Sequence, residues 1–140
     1  LSKIDNIVAI KEASGSMDQA DQIMQLCDIT LISGEDSLTY PLIAIGARGV
    51  ISVTANVVPR LVKNMVQAAL SGDMQEAREL HKKLYPFSKA AFIETNPIPV
   101  KAALGMMGMI RPELRLPLCE MKKENEKKLY EVLKKLGVVK

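Results

Sequence analysis

Apolar positions along this chain follow two rhythms. Ile7 to Lys11, Thr30 to Ser33 and Gly49 to Thr54 are short, nearly unbroken apolar runs set among glycine, serine, asparagine and aspartate. Runs of that length and composition predict buried strands of a parallel sheet covered on both faces. Elsewhere apolar residues recur every three or four positions, which predicts helices. Met17, Ala20, Ile23 and Met24, continued by Leu26 or Cys27, form one stripe, with Ser16 as N-cap and Gln19 as capping-box partner. A second helix runs through SLTYPLIAIG, with Pro41 in its first turn and Gly46 as its stop, and a third from Pro59 to Gly72.

Strand–helix alternation with crossovers this long implies parallel neighbours, because antiparallel strands need only turns between them. Beyond Gly72 the pattern is helical. Asp73 and Glu76 make a capping pattern ahead of MQEARELHKKLYPFSKAAFIE, where Pro86 is expected to kink or break the helix. Asn96 is expected to cap PIPVKAALGMMG, with Pro97 at its first position and Gly108 past its end. RPELRLPL reads as extended, and a last helix as running from about Pro117 or Glu120 to Leu136, ending at Gly137. A three-stranded parallel sheet by itself leaves two apolar edges unpaired. The same pattern is natural as the last three units of a (β/α)8 TIM barrel. The expectation is an α/β chain with a partial barrel over residues 1–72 and a C-terminal helical region over 73–140, truncated at the N-terminus, where LSKIDNI starts in mid-pattern.

Composition narrows the partners without changing that layout. Lys and Arg number 19 against 16 Asp and Glu, and there is no Trp. So small a basic excess, without aromatic residues among clustered Arg, excludes a nucleic-acid footprint. KKENEKK mixes acids into its lysines and reads as a solvated helix face. No apolar run approaches a membrane span, and no succession of charged, apolar and small residues marks a signal peptide. Cys27 and Cys119 lie far apart without zinc-ligand spacing, which suits two reduced thiols in the cytoplasm. His81, beside Lys82 and Lys83, is expected on an exposed face, and no second histidine offers itself for a metal; neither metal nor cofactor is expected. Tyr40, Tyr85 and Tyr130 read as half-buried helix residues, and the methionines as core filling.

Lys11 carries the chemical signal. Alternation puts Ile7, Ala9 and Lys11 on one face and Val8, Ile10 and Glu12 on the other, so Lys11 and Glu12 cannot both be core. Lys11 sits where strand becomes loop, and catalytic groups of an eight-fold barrel project from the C-terminal ends of strands. A lysine withdrawn from water loses proton affinity, and its neutral amine attacks carbonyl carbons. The plainer readings are a snorkelling lysine or a partner for Glu12. In SGEDS, Gly34 permits close backbone approach and the loop has polar groups that could line a carboxylate pocket; the favoured reading is that Asp36 or Ser37 caps the following helix. Ser52 and Thr54 share a face with Val50, as substrate contacts or as partners for buried backbone.

Together IKEASG, SGEDS, GARGVISVTANVVPR, ETNPIPVKAAL and LRLPL resemble the C-terminal half of the dihydrodipicolinate synthases, which belong with N-acetylneuraminate lyase to the pyruvate-dependent class I aldolases. The resemblance covers nearly the whole chain and implies an eight-fold barrel followed by helices. It implies that Lys11 forms a Schiff base with pyruvate and that the enamine attacks aspartate semialdehyde, giving the precursor of diaminopimelate and lysine. Ile51 would contribute its backbone carbonyl near bound pyruvate, and Gly34 would stand in the substrate-lining acidic loop. That loop is commonly GDD in the family where this chain has Gly34, Glu35 and Asp36. KEASG, rather than a lysine followed by an aromatic, favours the synthase over the lyase. The family's Thr-Thr-Gly-Glu loop and proton-relaying tyrosine belong upstream of Leu1, so weak or no activity is expected of this chain alone, together with association as a homo-oligomer or with an N-terminal half. Another keto-acid aldolase of the family and a non-catalytic half-barrel piece are the alternative readings.

Overall fold

In the computed structural model, which describes residues 1–140, strand β1 (Ala9–Glu12) pairs in parallel with β2 (Thr30–Ser33), Lys11 opposite Ile32 and Glu12 opposite Ser33. β1 thus starts later than Ile7 and runs one residue past Lys11. The third run pairs more briefly. Ser33 and Val50 form a single parallel bridge, Ser33 N–H donating to Gly49 O at 2.8 Å and Ile51 N–H to Ser33 O at 2.9 Å. The strand expected over 49–54 therefore ends at Ile51. Its remainder winds into a 3-10 turn at Thr54–Asn56, because the Asp36 carboxylate takes the N–H groups of Val53 and Thr54 that a neighbouring strand would otherwise need.

Helix α1 (Met17–Leu26) connects β1 to β2 and is capped by Ser16, whose hydroxyl accepts from Gln19 N–H at 3.1 Å. The reciprocal half of the expected capping box does not form. Gln19 Nε2 donates to Glu12 Oε1 at 3.2 Å, and Ser16 N–H turns to Ser14 Oγ. Cys27, half-buried, continues the apolar stripe, while Leu26 is exposed. A 3-10 turn at Asp36–Leu38 leads into α2 (Thr39–Ala44). Helix α3 (Pro59–Ser71) has proline in its first turn and Gly72 at φ 85° beyond its end, a left-handed position that suits glycine.

Asp73 caps α4 (Met74–Ala90), accepting from Glu76 N–H at 3.1 Å. Pro86 does not break this helix, which continues through it. Pro86 removes one bond to the carbonyl of Lys82, and both residues lie on the exposed face, where solvent can take that carbonyl. Helix α5 (Ile98–Met106) begins after Pro97, which holds the cap position itself; Asn96 makes no cap bond. Helix α6 (Lys123–Leu136) starts later than expected because Glu94 Oε1 fixes the entry to it, accepting from Lys122 N–H at 3.0 Å and Asn125 Nδ2 at 2.8 Å.

Helices cover one face of the sheet and leave the other open. Glu12, Leu31 and Ser33 are buried on the covered face, whereas Lys11 and Thr30 are exposed and Ala9 and Ile32 only half-buried on the opposite one. The two-sided cover expected for parallel strands is not formed by this chain. Ala20, Leu31, Leu42, Ile43 and Ala47 seal the covered face to α1 and α2. A larger cluster, with Val62, Met65, Phe87, Val100, Leu129 and Leu133, joins α3 to the helices that follow. His81 is half-buried rather than exposed, its ring centroid 5.5 Å from that of Tyr40 and 5.8 Å from that of Tyr85, because α4 turns this side toward α2; burial pushes its pKa down. No helix is long and apolar enough to cross a membrane.

Candidate active site

The C-terminal ends of the three parallel segments bring Lys11, Gly34 and Ile51 to one rim. Alternation from Lys11 and Ile32, carried across the Ser33–Val50 bridge, puts Gly34 and Ile51 on the open face with the lysine. Gly34 lies under the lysine stem. A β-carbon built on it would stand 2.8 Å from Lys11 Cε, 2.6 Å from Ala13 Cβ and 3.0 Å from Glu12 O. A residue with any side chain there displaces Lys11 or the loop beside it. Gly34 N–H donates to Glu12 O at 2.6 Å, extending the ladder past β2. Lys11 is exposed rather than desolvated, since the face it points to is uncovered. Glu12 is not its ion-pair partner; the ion pairs of this chain are Lys82–Glu79 and Lys123–Glu126, each at 3.0 Å.

Behind the rim, polar side chains hold the loops. Glu12, 3% exposed, points to the covered face, where its Oε1 accepts from Ser14 N–H at 2.7 Å and Gln19 Nε2 at 3.2 Å, and its Oε2 has no partner. Asp36, also buried, does not cap α2. Its carboxylate accepts from the Ser52 hydroxyl, from Val53 N–H at 2.9 Å and from Thr54 N–H at 3.1 Å, clamping the loop after β2 to the loop after the third segment. Ser52 Oγ in turn accepts from Ala55 N–H at 2.8 Å, and the Thr54 hydroxyl pairs with Ser88 Oγ on α4 at 3.3 Å. Both hydroxyls thus serve the backbone and the helix layer. Ser37 donates to Glu35 Oε1 at 2.9 Å, and Ser33 Oγ to Glu35 O at 2.8 Å. No three His, Cys, Asp or Glu side chains gather to hold a metal.

Sequence reasoning brought the rim residues into view but not the roles of the two carboxylates behind it, Glu12 being read as a partner for Lys11 and Asp36 as a helix cap. For Glu12 a signal existed, since alternation alone turns it away from Lys11. For Asp36 none did, because its partners arrive from a different strand–helix unit.

Parallel strand–helix units with their polar groups gathered beyond the strand C-termini define an α/β protein of the kind that carries its chemistry on βα loops. A profile of the Dihydrodipicolinate synthetase family matches residues 1–136, and the chain belongs to that family. It is 55% identical over 134 residues to a 4-hydroxy-tetrahydrodipicolinate synthase of Methanocaldococcus jannaschii, covering 96% of this chain and 46% of that protein. The crystal structure of dihydrodipicolinate synthase from Aquifex aeolicus superposes with a TM-score of 0.93 at 52% identity, over 98% of this chain and 47% of the other. A chloride-inhibited dihydrodipicolinate synthase from Acinetobacter baumannii complexed with pyruvate gives 0.95 at 35% identity, over 99% and 48%. The chain spans about half the length of the relatives it matches.

Proposed function

We propose that this chain forms the C-terminal half of a cytoplasmic Schiff-base lyase that condenses pyruvate with aspartate semialdehyde, and that Lys11 is its imine-forming residue. The observation that carries this reading is the convergence of Lys11, Gly34 and Ile51 on one open rim at the strand C-termini. Family membership supplies the reaction. Lys11 Nζ, as the free amine, adds to the keto carbon of pyruvate, and loss of water leaves an imine. The imine draws electrons from the methyl group, which gives up a proton. The enamine carbon then bonds to the aldehyde carbon of aspartate semialdehyde, whose oxygen takes a proton. Attack of the semialdehyde's amino group on the imine carbon closes the ring and frees Lys11, giving 4-hydroxy-tetrahydrodipicolinate on the route to diaminopimelate and lysine. In this reading Ile51 offers its carbonyl beside the bound keto acid, and Gly34 keeps the space that the lysine stem crosses.

The three parallel segments are read as the last three units of an eight-fold barrel, the open face being the part turned to its lumen. The groups that bind the pyruvate carboxylate and relay protons are assigned to the other half, so this chain alone is expected to turn over weakly or not at all. General acid–base help is typically worth roughly 10²- to 10⁴-fold. The test is a chimaera in which this chain replaces the matching half of the Methanocaldococcus jannaschii synthase. Product should form from pyruvate and aspartate semialdehyde and be lost in Lys11→Ala. Turnover only with N-acetylmannosamine or glyceraldehyde would reject the aldehyde assignment.

A further inference from the structure

We propose that Glu12 is the positioning residue of Lys11: from the covered face of β1 it fixes the strand end on which the lysine stands. The inference rests on the reading of Lys11 as the imine-forming residue. One oxygen of Glu12 gathers Ser14 N–H at 2.7 Å and Gln19 Nε2 at 3.2 Å, tying the strand end to the loop that follows and to the first turn of α1. Its main-chain carbonyl takes Gly34 N–H at 2.6 Å. Gly34 is also the residue whose built β-carbon meets Lys11 Cε. The neighbour of Lys11 is therefore anchored through both backbone and side chain, to the loop on one side and to β2 on the other. Alternation does the rest: a strand end that cannot rotate about Glu12 holds Lys11 on the open face.

Stability alone does not account for this carboxylate. Glu12 Oε2 is buried without a donor, a burden that an apolar side chain of similar size avoids. The donors to Oε1 belong to exposed Ser14 and Gln19, which can turn to water when the carboxylate is gone. Glu12→Leu is therefore expected to leave the melting temperature unchanged or raised while slowing imine formation. A residue kept for packing gives the opposite pair of effects.

The experiment follows borohydride-quenched labelling of Lys11 by pyruvate in the chimaera described above, alongside thermal melts. At saturating pyruvate, Glu12→Leu is expected to slow labelling by about tenfold or more, since misplacing a reacting group by an ångström costs up to about a hundredfold. The pyruvate concentration for half-saturation should stay nearly constant. Glu12→Gln keeps an acceptor oxygen for Ser14 and Gln19 and should restore most of the rate. Gln19→Leu, at an exposed position, removes one of the two bonds and should slow labelling a few-fold, so it carries the test if Glu12→Leu fails to fold. Unchanged labelling in whichever of these two leucine variants folds, or equal slowing in Glu12→Gln and Glu12→Leu, overturns the proposal. If Lys11 is not labelled even in the unsubstituted chimaera, the reading of Lys11 itself falls, and the positioning role with it.

Discussion

Gly34 and Lys11 are a matched pair, because the stem of the one occupies the space that a side chain on the other would need. Gly34→Ala is predicted to cost about 1–3 kcal/mol by overpacking and to slow imine formation, read by borohydride trapping in the chimaera. Full retention of both stability and rate would mean that the lysine stem lies elsewhere. His81 gives a second prediction. Burial lowers its pKa from the ordinary 6.5, so the folded chain takes up this proton at lower pH than the unfolded chain does. Its contribution to stability is present above 6.5 and is lost as the pH falls from there through the folded value. Melting temperature should drop as the buffer is taken from about pH 7.5 to about pH 5.5, and His81→Phe should flatten that drop while keeping a ring between Tyr40 and Tyr85. A pH profile unchanged by the substitution would assign the acid sensitivity to other groups. Of these residue features, Lys11 was legible because a charged group ending an apolar run needs a reason. The half-burial of His81 was not, since Lys82 and Lys83, which follow it, made the local pattern polar.

Elements whose limits are set by their own residues were readable from spacing. The Ser16 and Asp73 caps, the proline opening α3 and the glycines after α3 and α6 all act within a turn of the helix they bound. Limits set by distant residues were not readable: Asp36 ends the third segment at Ile51, and Glu94 sets the start of α6. Asp36→Ala strands two backbone donors beside buried Thr54 and is predicted to destabilise by about 1–3 kcal/mol, measured by urea unfolding. Asp36→Asn, with an acceptor retained, should cost less. A neutral Asp36→Ala would show that the clamp between the two loops holds nothing. At the start of α6, the lysines of KKENEKK are exposed while Asn125 among them is buried against Glu94. Neutralising Lys122, Lys123, Lys127 and Lys128 should alter solubility and leave the melting temperature nearly unchanged, whereas Asn125→Leu should lower it.

Taken whole, the chain is a sheet with one covered face, one open face and unpaired edges, packed against a larger helical core. Ordered apolar edges recruit other strands. Sedimentation of this chain at micromolar concentration is predicted to show association, and a soluble monomer would contradict the edge argument. The central claim is that Lys11 forms the imine. Borohydride reduction in the presence of pyruvate, read by peptide mass, tests it most directly. In the chimaera with the Methanocaldococcus jannaschii half, a pyruvate-derived adduct is predicted on Lys11 and is predicted to vanish in Lys11→Ala, with weak or no labelling of this chain alone. An adduct on Lys3 or Lys101, or one that survives Lys11→Ala, would contradict the account.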